Sequence, residues 1–101
     1  LVKPVIFHPE ARNETDDAAE YYAAVSDELR RDFLDEIERL ASAIVRNPRR
    51  SARYQRTKYR HLVARRFPYV VYYAELDDEV WIVAVAHAKR RPGYWMHRKM
   101  E

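Results

Sequence analysis

The chain has 101 residues, enough for one compact domain spanning residues 1–101 with a single modest core. Hydrophobic residues at 48% exclude a disordered chain, and the absence of cysteine excludes disulfides, thiolate metal ligands and cysteine nucleophiles. The net charge of +3 conceals a divide: residues 1–45 carry 5 Lys/Arg against 11 Asp/Glu, and residues 46–101 carry 14 against 5.

Val2 to Phe7 is apolar and β-branched apart from Lys3 and Pro4, and reads as a short strand at an edge or beginning after the proline. Pro9 and Glu10 then suit the first turn of a helix, because proline lacks only an unneeded donor there and an acid favours the positive helix end. Ala11, Thr15, Ala18, Ala19, Tyr22 and Val25 repeat at helical steps and predict its buried face. Glu14, Asp16, Asp17 and Glu20 predict a solvated acidic face. Ser26 is a strong N-cap for a second helix, with Asp27 and Glu28 in its first turn. Leu29, Phe33, Ile37, Leu40 and Ile44 form a stripe wide enough to cover a sheet, and Asp35 is spaced to pair with Arg39. Pro48 ends this helix near Asn47. The short connection makes the pair a helical hairpin.

Asn47 to Thr57 is polar, basic and unpatterned, and is expected to be a loop. Three strand-like runs follow: Tyr59 to Arg66, Tyr69 to Glu75 after Pro68, and Val80 to His87 after the turn Leu76-Asp77-Asp78-Glu79. The last two are almost wholly apolar, as expected for strands buried on two faces or lying centrally. Short turns require antiparallel neighbours. The expected class is therefore α+β, in the order β-α-α-β-β-β, with the helical hairpin on one face of a mainly antiparallel four-stranded sheet. A basic, aromatic tail from Lys89 to Trp95 follows the last strand.

Familiar catalytic signatures are missing. The lone glycine, Gly93, excludes a phosphate-cradling loop and a dinucleotide fingerprint, and the four histidines lack zinc-type spacing. No cofactor or metal is expected. No apolar run approaches the ~20 residues a membrane helix needs. With no leader pattern visible, a cytoplasmic location is expected.

What remains is charge. Between Arg46 and Arg66 stand nine basic residues and no acid, which suggests an anionic partner: nucleic acid or an acidic protein segment. Arg56, Lys58, Arg60, Arg65, Arg66 and Lys89 are the candidate contacts, unless the two halves of the chain simply neutralise each other. A ribonuclease can work without metal when a histidine, lysine or tyrosine moves the proton and arginines stabilise the phosphorane. His87, with Arg90 and Arg91 just beyond it, is the candidate for that chemistry. The plainer alternative for His87 is a structural ring closing the sheet edge.

The stretch Arg65 to Tyr73, the acidic turn at Asp77-Asp78 and the run His87-Ala88-Lys89-Arg90-Arg91-Pro92 resemble the RelE/ParE superfamily, toxins of bacterial type II toxin–antitoxin modules often labelled plasmid stabilisation proteins. The resemblance implies a cognate antitoxin, small and acidic, and growth inhibition by one of two routes. The RelE branch cuts messenger RNA on the ribosome; the ParE branch poisons DNA gyrase without being a nuclease. Aligned on Tyr69, the RelE lysines of the second strand fall on His61 and Val63, and the arginine of the third falls on Val70. The arginine after the last strand falls on Arg90, and the tail tyrosine falls near Met96, two positions from Tyr94. Valine can neither stabilise a phosphorane nor move a proton, so the catalytic set the resemblance implies is reduced to His61, Arg90 and Tyr94. The resemblance thus favours the gyrase route, with a RelE-like endoribonuclease or a non-enzymatic nucleic-acid-binding module as alternatives.

Overall fold

The computed structural model describes residues 2–101. Its elements run β1 (Val5–Phe7), α1 (Pro9–Ala23), α2 (Asp27–Arg46), β2 (Arg60–Val63), β3 (Tyr69–Glu75) and β4 (Val80–His87). The four strands make one sheet in the order β1-β4-β3-β2, antiparallel except for the parallel β1–β4 pair. The α+β class and the β-α-α-β-β-β order are those expected. Among the described residues, no helix is long and apolar enough to cross a membrane.

The helix boundaries follow local chemistry. Pro9 opens α1, where the His8 ring accepts the Glu10 N–H at 3.0 Å through Nδ1. Ser26 caps α2 by accepting the Leu29 N–H at 3.0 Å, which satisfies one orphan donor of the first turn. Phe33, Ile37, Leu40 and Ile44 are buried along α2, and with Ala11 and Ala18 of α1 they pack on Val71, Tyr73, Ile82 and Val85 of the sheet.

Four local expectations need correction. Val25 is 69% exposed, because α1 ends at Ala23 and the chain turns away before the stripe reaches it. Arg39 makes a bidentate pair with Glu36, at 2.7 Å for both bonds, instead of with Asp35. The strand expected from Tyr59 to Arg66 is only Arg60–Val63, since Arg66 takes a left-handed φ of 72° and swings Phe67 into the core. Glu14, expected on the solvated face of α1, turns inward to the sheet.

The second face of the sheet is also covered. Tyr59, Ala74, Trp81, Val83, Ala84 and Trp95 form a separate buried cluster beneath the tail and the α2–β2 loop. Both faces of β3 and β4 are therefore enclosed, which is why the two strands carry almost no polar residue.

Candidate functional site

The tail is wound, not extended. Gly93 adopts φ +74°, which a side chain would resist, and the N–H groups of Tyr94, Met96 and Arg98 bond back to Arg91, Gly93 and Trp95. These tight turns aim Trp95 and Arg98 the same way, into the molecule. Trp95 is 1% exposed and stacks on Tyr72 at 4.5 Å between centroids, with Tyr59 and Tyr54 edge-on or tilted against it. Its burial fixes where Tyr94 and Arg98 stand.

The β4 edge explains the rest. β1 pairs only with Val80 to Ile82, and His8 N–H closes that ladder on the Ile82 carbonyl at 2.9 Å. A register shift then follows: Tyr73 faces Ile82 while Tyr72 faces Ala84, so Val83 has no opposite residue. Beyond it the edge of β4 is open, and unpaired backbone groups inside a protein are costly. Two side chains stand in for the missing strand. Glu14 Oε1 accepts the Val85 N–H at 3.0 Å, and Arg98 Nη1 donates to the Val83 carbonyl at 2.9 Å. The two are also bound to each other, through Arg98 Nη1 and Nη2 at 2.9 and 3.1 Å. Such a fork-on-carboxylate pair suits a partly buried site, where an isolated charge would not survive.

The Tyr94 hydroxyl donates to the other oxygen of the same carboxylate, Glu14 Oε2. Burial first, and then this bond and the Glu14 charge, push the phenol well above its ordinary value of 10.0. The Arg90 guanidinium lies 3.9 Å from the Tyr94 ring centre, and that of Arg98 lies at 5.2 Å. Beside them opens a cleft of about 570 Å³ between α1 and the ends of β3 and β4. His87, Arg90, Tyr94, Tyr69, Tyr21 and Glu14 are among its walls.

Of the residues singled out in the sequence, His87, Arg90 and Tyr94 thus come together, and Arg90 and Arg91 are exposed as expected. His61 does not join them. It faces Tyr72 across the ladder whereas His87 faces Tyr69, three residues along β3 and hence on the opposite face. The His61 ring stands in the aromatic cluster beside Tyr54 and Tyr72, with Nδ1 buried and unbonded. Nδ1 of His87 accepts the Lys89 N–H at 3.1 Å, so the neutral ring carries its proton on Nε2.

The basic residues divide into groups. Arg66 pairs with Asp32 at 3.0 Å and the Arg65 N–H donates to Glu36, placing both among the acids of α2. Arg56 and Lys58 are exposed on the α2–β2 loop, Arg60 is half-buried at its end, and Lys89 is exposed beside His87. Glu14 and Arg98 were missed. Glu14 keeps the same three- and four-residue steps as Ala11, Ala18 and Tyr22, which was the available signal.

Comparison with known proteins places this architecture. No curated protein sequence matches the chain. A solved structure described as the chromosomal ParDE toxin–antitoxin system from P. aeruginosa is similar, with a TM-score of 0.76 and 13% identity over 87% of this chain and 98% of that one. At that identity the likeness speaks for the fold. The family model described as the ParE toxin of the type II toxin–antitoxin system parDE matches residues 5–92, ending just before Gly93. Such a module implies a cognate antitoxin as partner. The chain belongs to the ParE toxin family and is the toxin component of a type II toxin–antitoxin module.

Proposed function

We propose that this toxin stops growth by binding DNA gyrase and not by cutting RNA. The observation that carries the reading is the Tyr94 hydroxyl, given to the Glu14 carboxylate beside Arg98. A phenol raised in this way neither accepts nor releases a proton readily at neutral pH. His87 has its one lone pair on the Lys89 N–H, and Val63 and Val70, on the other face of the sheet, offer no cation where the RelE resemblance puts one. The cleft therefore supports recognition better than proton transfer. Arg90, Arg91 and Lys89 supply exposed cations next to its mouth, and the same charges would draw an acidic antitoxin.

The ribonuclease reading keeps one observation in its favour, the convergence of His87, Arg90 and Tyr94 on a single cleft. The two separate in one experiment. Purified toxin is added to gyrase with relaxed plasmid, and to ribosomes stalled on a defined messenger RNA. Loss of supercoiling with intact RNA is the expected result. Codon-positioned RNA cuts with supercoiling unaffected would reverse the assignment. Inactivity in both, together with harmless expression, would leave a basic binding module.

A further inference from the structure

We propose that the loop joining α2 to β2 is a second binding surface, which takes the phosphate backbone of duplex nucleic acid without reading its sequence. The proposal goes beyond the gyrase reading and does not depend on it. The loop folds back as a small hairpin. Arg53 bridges to Arg60, Tyr54 N–H bonds the Tyr59 carbonyl at 2.8 Å, and His61 N–H bonds the Ala52 carbonyl at 3.1 Å. Residues opposed in this way project to the same side, so Arg53 and Arg60 stand together. Each is steadied by a backbone carbonyl: Arg60 Nη1 by Ser51 at 2.7 Å, and Arg53 Nη1 by Thr57 at 3.2 Å. A guanidinium has five donors, so both keep most of theirs for a ligand while losing little freedom on binding. Arg49 reaches the same edge from the start of the loop, where it meets Glu75 at 3.0 Å. That carboxylate is shared with Lys3 and leaves the other cations unanswered. Arg50, Arg53, Arg56 and Lys58 are exposed, and no acid occurs between Arg46 and Arg66.

The chemistry of the surface selects the ligand class. Protein interfaces are held by apolar or aromatic anchors at their centre. This loop presents none. Among the described residues, the large exposed hydrophobic ones, Val2, Tyr21, Val25, Val63 and Met96, all lie elsewhere. Its own aromatics, Tyr54 and Tyr59, pack against Trp95 on the second face of the sheet, so no ring is offered for stacking single-stranded bases. Cations alone, steadied by the hairpin and without an apolar anchor among them, suit the evenly charged backbone of a duplex.

The test is fluorescence anisotropy of the purified chain with labelled 20-bp duplexes of two unrelated DNA sequences, one matching RNA duplex, and poly-glutamate. Both DNA sequences should bind equally, and the duplex bound more tightly, DNA or RNA, identifies the source. Three to five phosphate contacts predict a log–log salt slope of roughly −2.7 to −4.5, a loss of roughly 40- to 500-fold between 50 and 200 mM salt. R50E/R53E should weaken binding at least tenfold, while R30E/R31E, exposed on α2 and equal in charge change, should stay within threefold. R50A/R53A repeats the test more gently, with circular dichroism confirming the fold. Equal losses at both pairs would reduce the effect to net charge and overturn the proposal. A tenfold preference between the DNA sequences would overturn it too, as would poly-glutamate binding more tightly than duplex with the same dependence on Arg50 and Arg53. Gyrase is absent throughout, so failure of the gyrase reading leaves this result standing.

Discussion

The two faces of the sheet are covered in different ways. One lies under α1 and α2, whose buried residues recur along Phe33, Ile37, Leu40 and Ile44. The other lies under a non-periodic loop and a short tail, around Trp95 and Tyr59. The first cover is held by many modest contacts spread over two helices. The second is pinned by a few strong ones: a stacked tryptophan and a forked ion pair at the strand edge. A face closed by few contacts should fail abruptly when one of them is removed, whereas a helix-covered face should weaken by degrees.

The sharpest test of that contrast is W95A against F33A. Both side chains are essentially fully buried, and each truncation is expected to cost about 3–5 kcal/mol by chemical denaturation. The difference should appear in where the damage spreads. W95A should raise hydrogen exchange along the tail and the α2–β2 loop together, since Tyr54, Tyr59 and Tyr72 all rest on the lost ring. F33A should leave the tail protected. A cost under about 1 kcal/mol for W95A would make the second cover a loose flap.

This asymmetry is also what the sequence could and could not express. Helix periodicity survives in sequence because each turn repeats the same demand, so α2 and its Ser26 cap were legible residue by residue. The near-continuous apolar runs of β3 and β4 fit either burial on two faces or a central place in the sheet, and do not say what lies over a second face. The tail is too short to show a period, and its cover depends on the side chain of one residue, Trp95. Glu14 looked like solvated helix surface because its reason for turning inward, the unpaired Val85 N–H, depends on where β1 stops along β4, a register that periodicity does not display. The candidate site was therefore read in halves. His87, Arg90 and Tyr94 were found as residue types, and the carboxylate and guanidinium that position Tyr94 were not.

The ion pair gives the next largest effect. E14Q keeps an acceptor for Val85 N–H but leaves the Arg98 guanidinium, 5% exposed, with only the more distant Glu10 carboxylate at 3.7 Å as counter-charge. Fully buried pairs lose about 3–5 kcal/mol on such a change; with the Glu14 side chain 15% exposed, about 2–3 kcal/mol is expected. A double-mutant cycle with R98A should show strong coupling, because each single change already breaks the same unit. Additive losses would mean that the two groups serve the β4 edge independently.

A smaller effect, with a defined pH window, belongs to Tyr94. Its folded value is raised by burial and by the Glu14 bond, so the neutral phenol is favoured in the folded state. The stabilisation that follows is complete below the unfolded value near 10 and is lost as pH rises beyond it toward the folded value. Burial raises Tyr22, Tyr59, Tyr69, Tyr72 and Tyr73 as well, so the measurement must be a difference. The gap in melting temperature between wild type and Y94F should be constant from pH 7 to about 9.5 and should narrow above pH 10. A gap that stays constant to pH 11 would show that the hydroxyl contributes only packing.

The smallest change in stability should accompany the largest change in biology. Arg90 and Arg91 are exposed, and exposed positions usually cost under about 0.5 kcal/mol when truncated. Arg90 adds its contact with the Tyr94 ring at 3.9 Å, a cation–π interaction worth about 0.5–1 kcal/mol at the surface. R90A/R91A should therefore melt within a few degrees of wild type, because Trp95, Glu14 and Arg98 still hold the tail in place. If the tail-covered face presents the contact with the target, the same variant should lose both growth inhibition and gyrase inhibition. Loss of toxicity with a large fall in melting temperature would instead make Arg90 part of the cover. A stable variant that remains fully toxic would move the target contact away from the tail altogether, and the remaining strongly basic surface is the loop from Arg49 to Arg60, where R50E/R53E would then be the change that disarms the toxin.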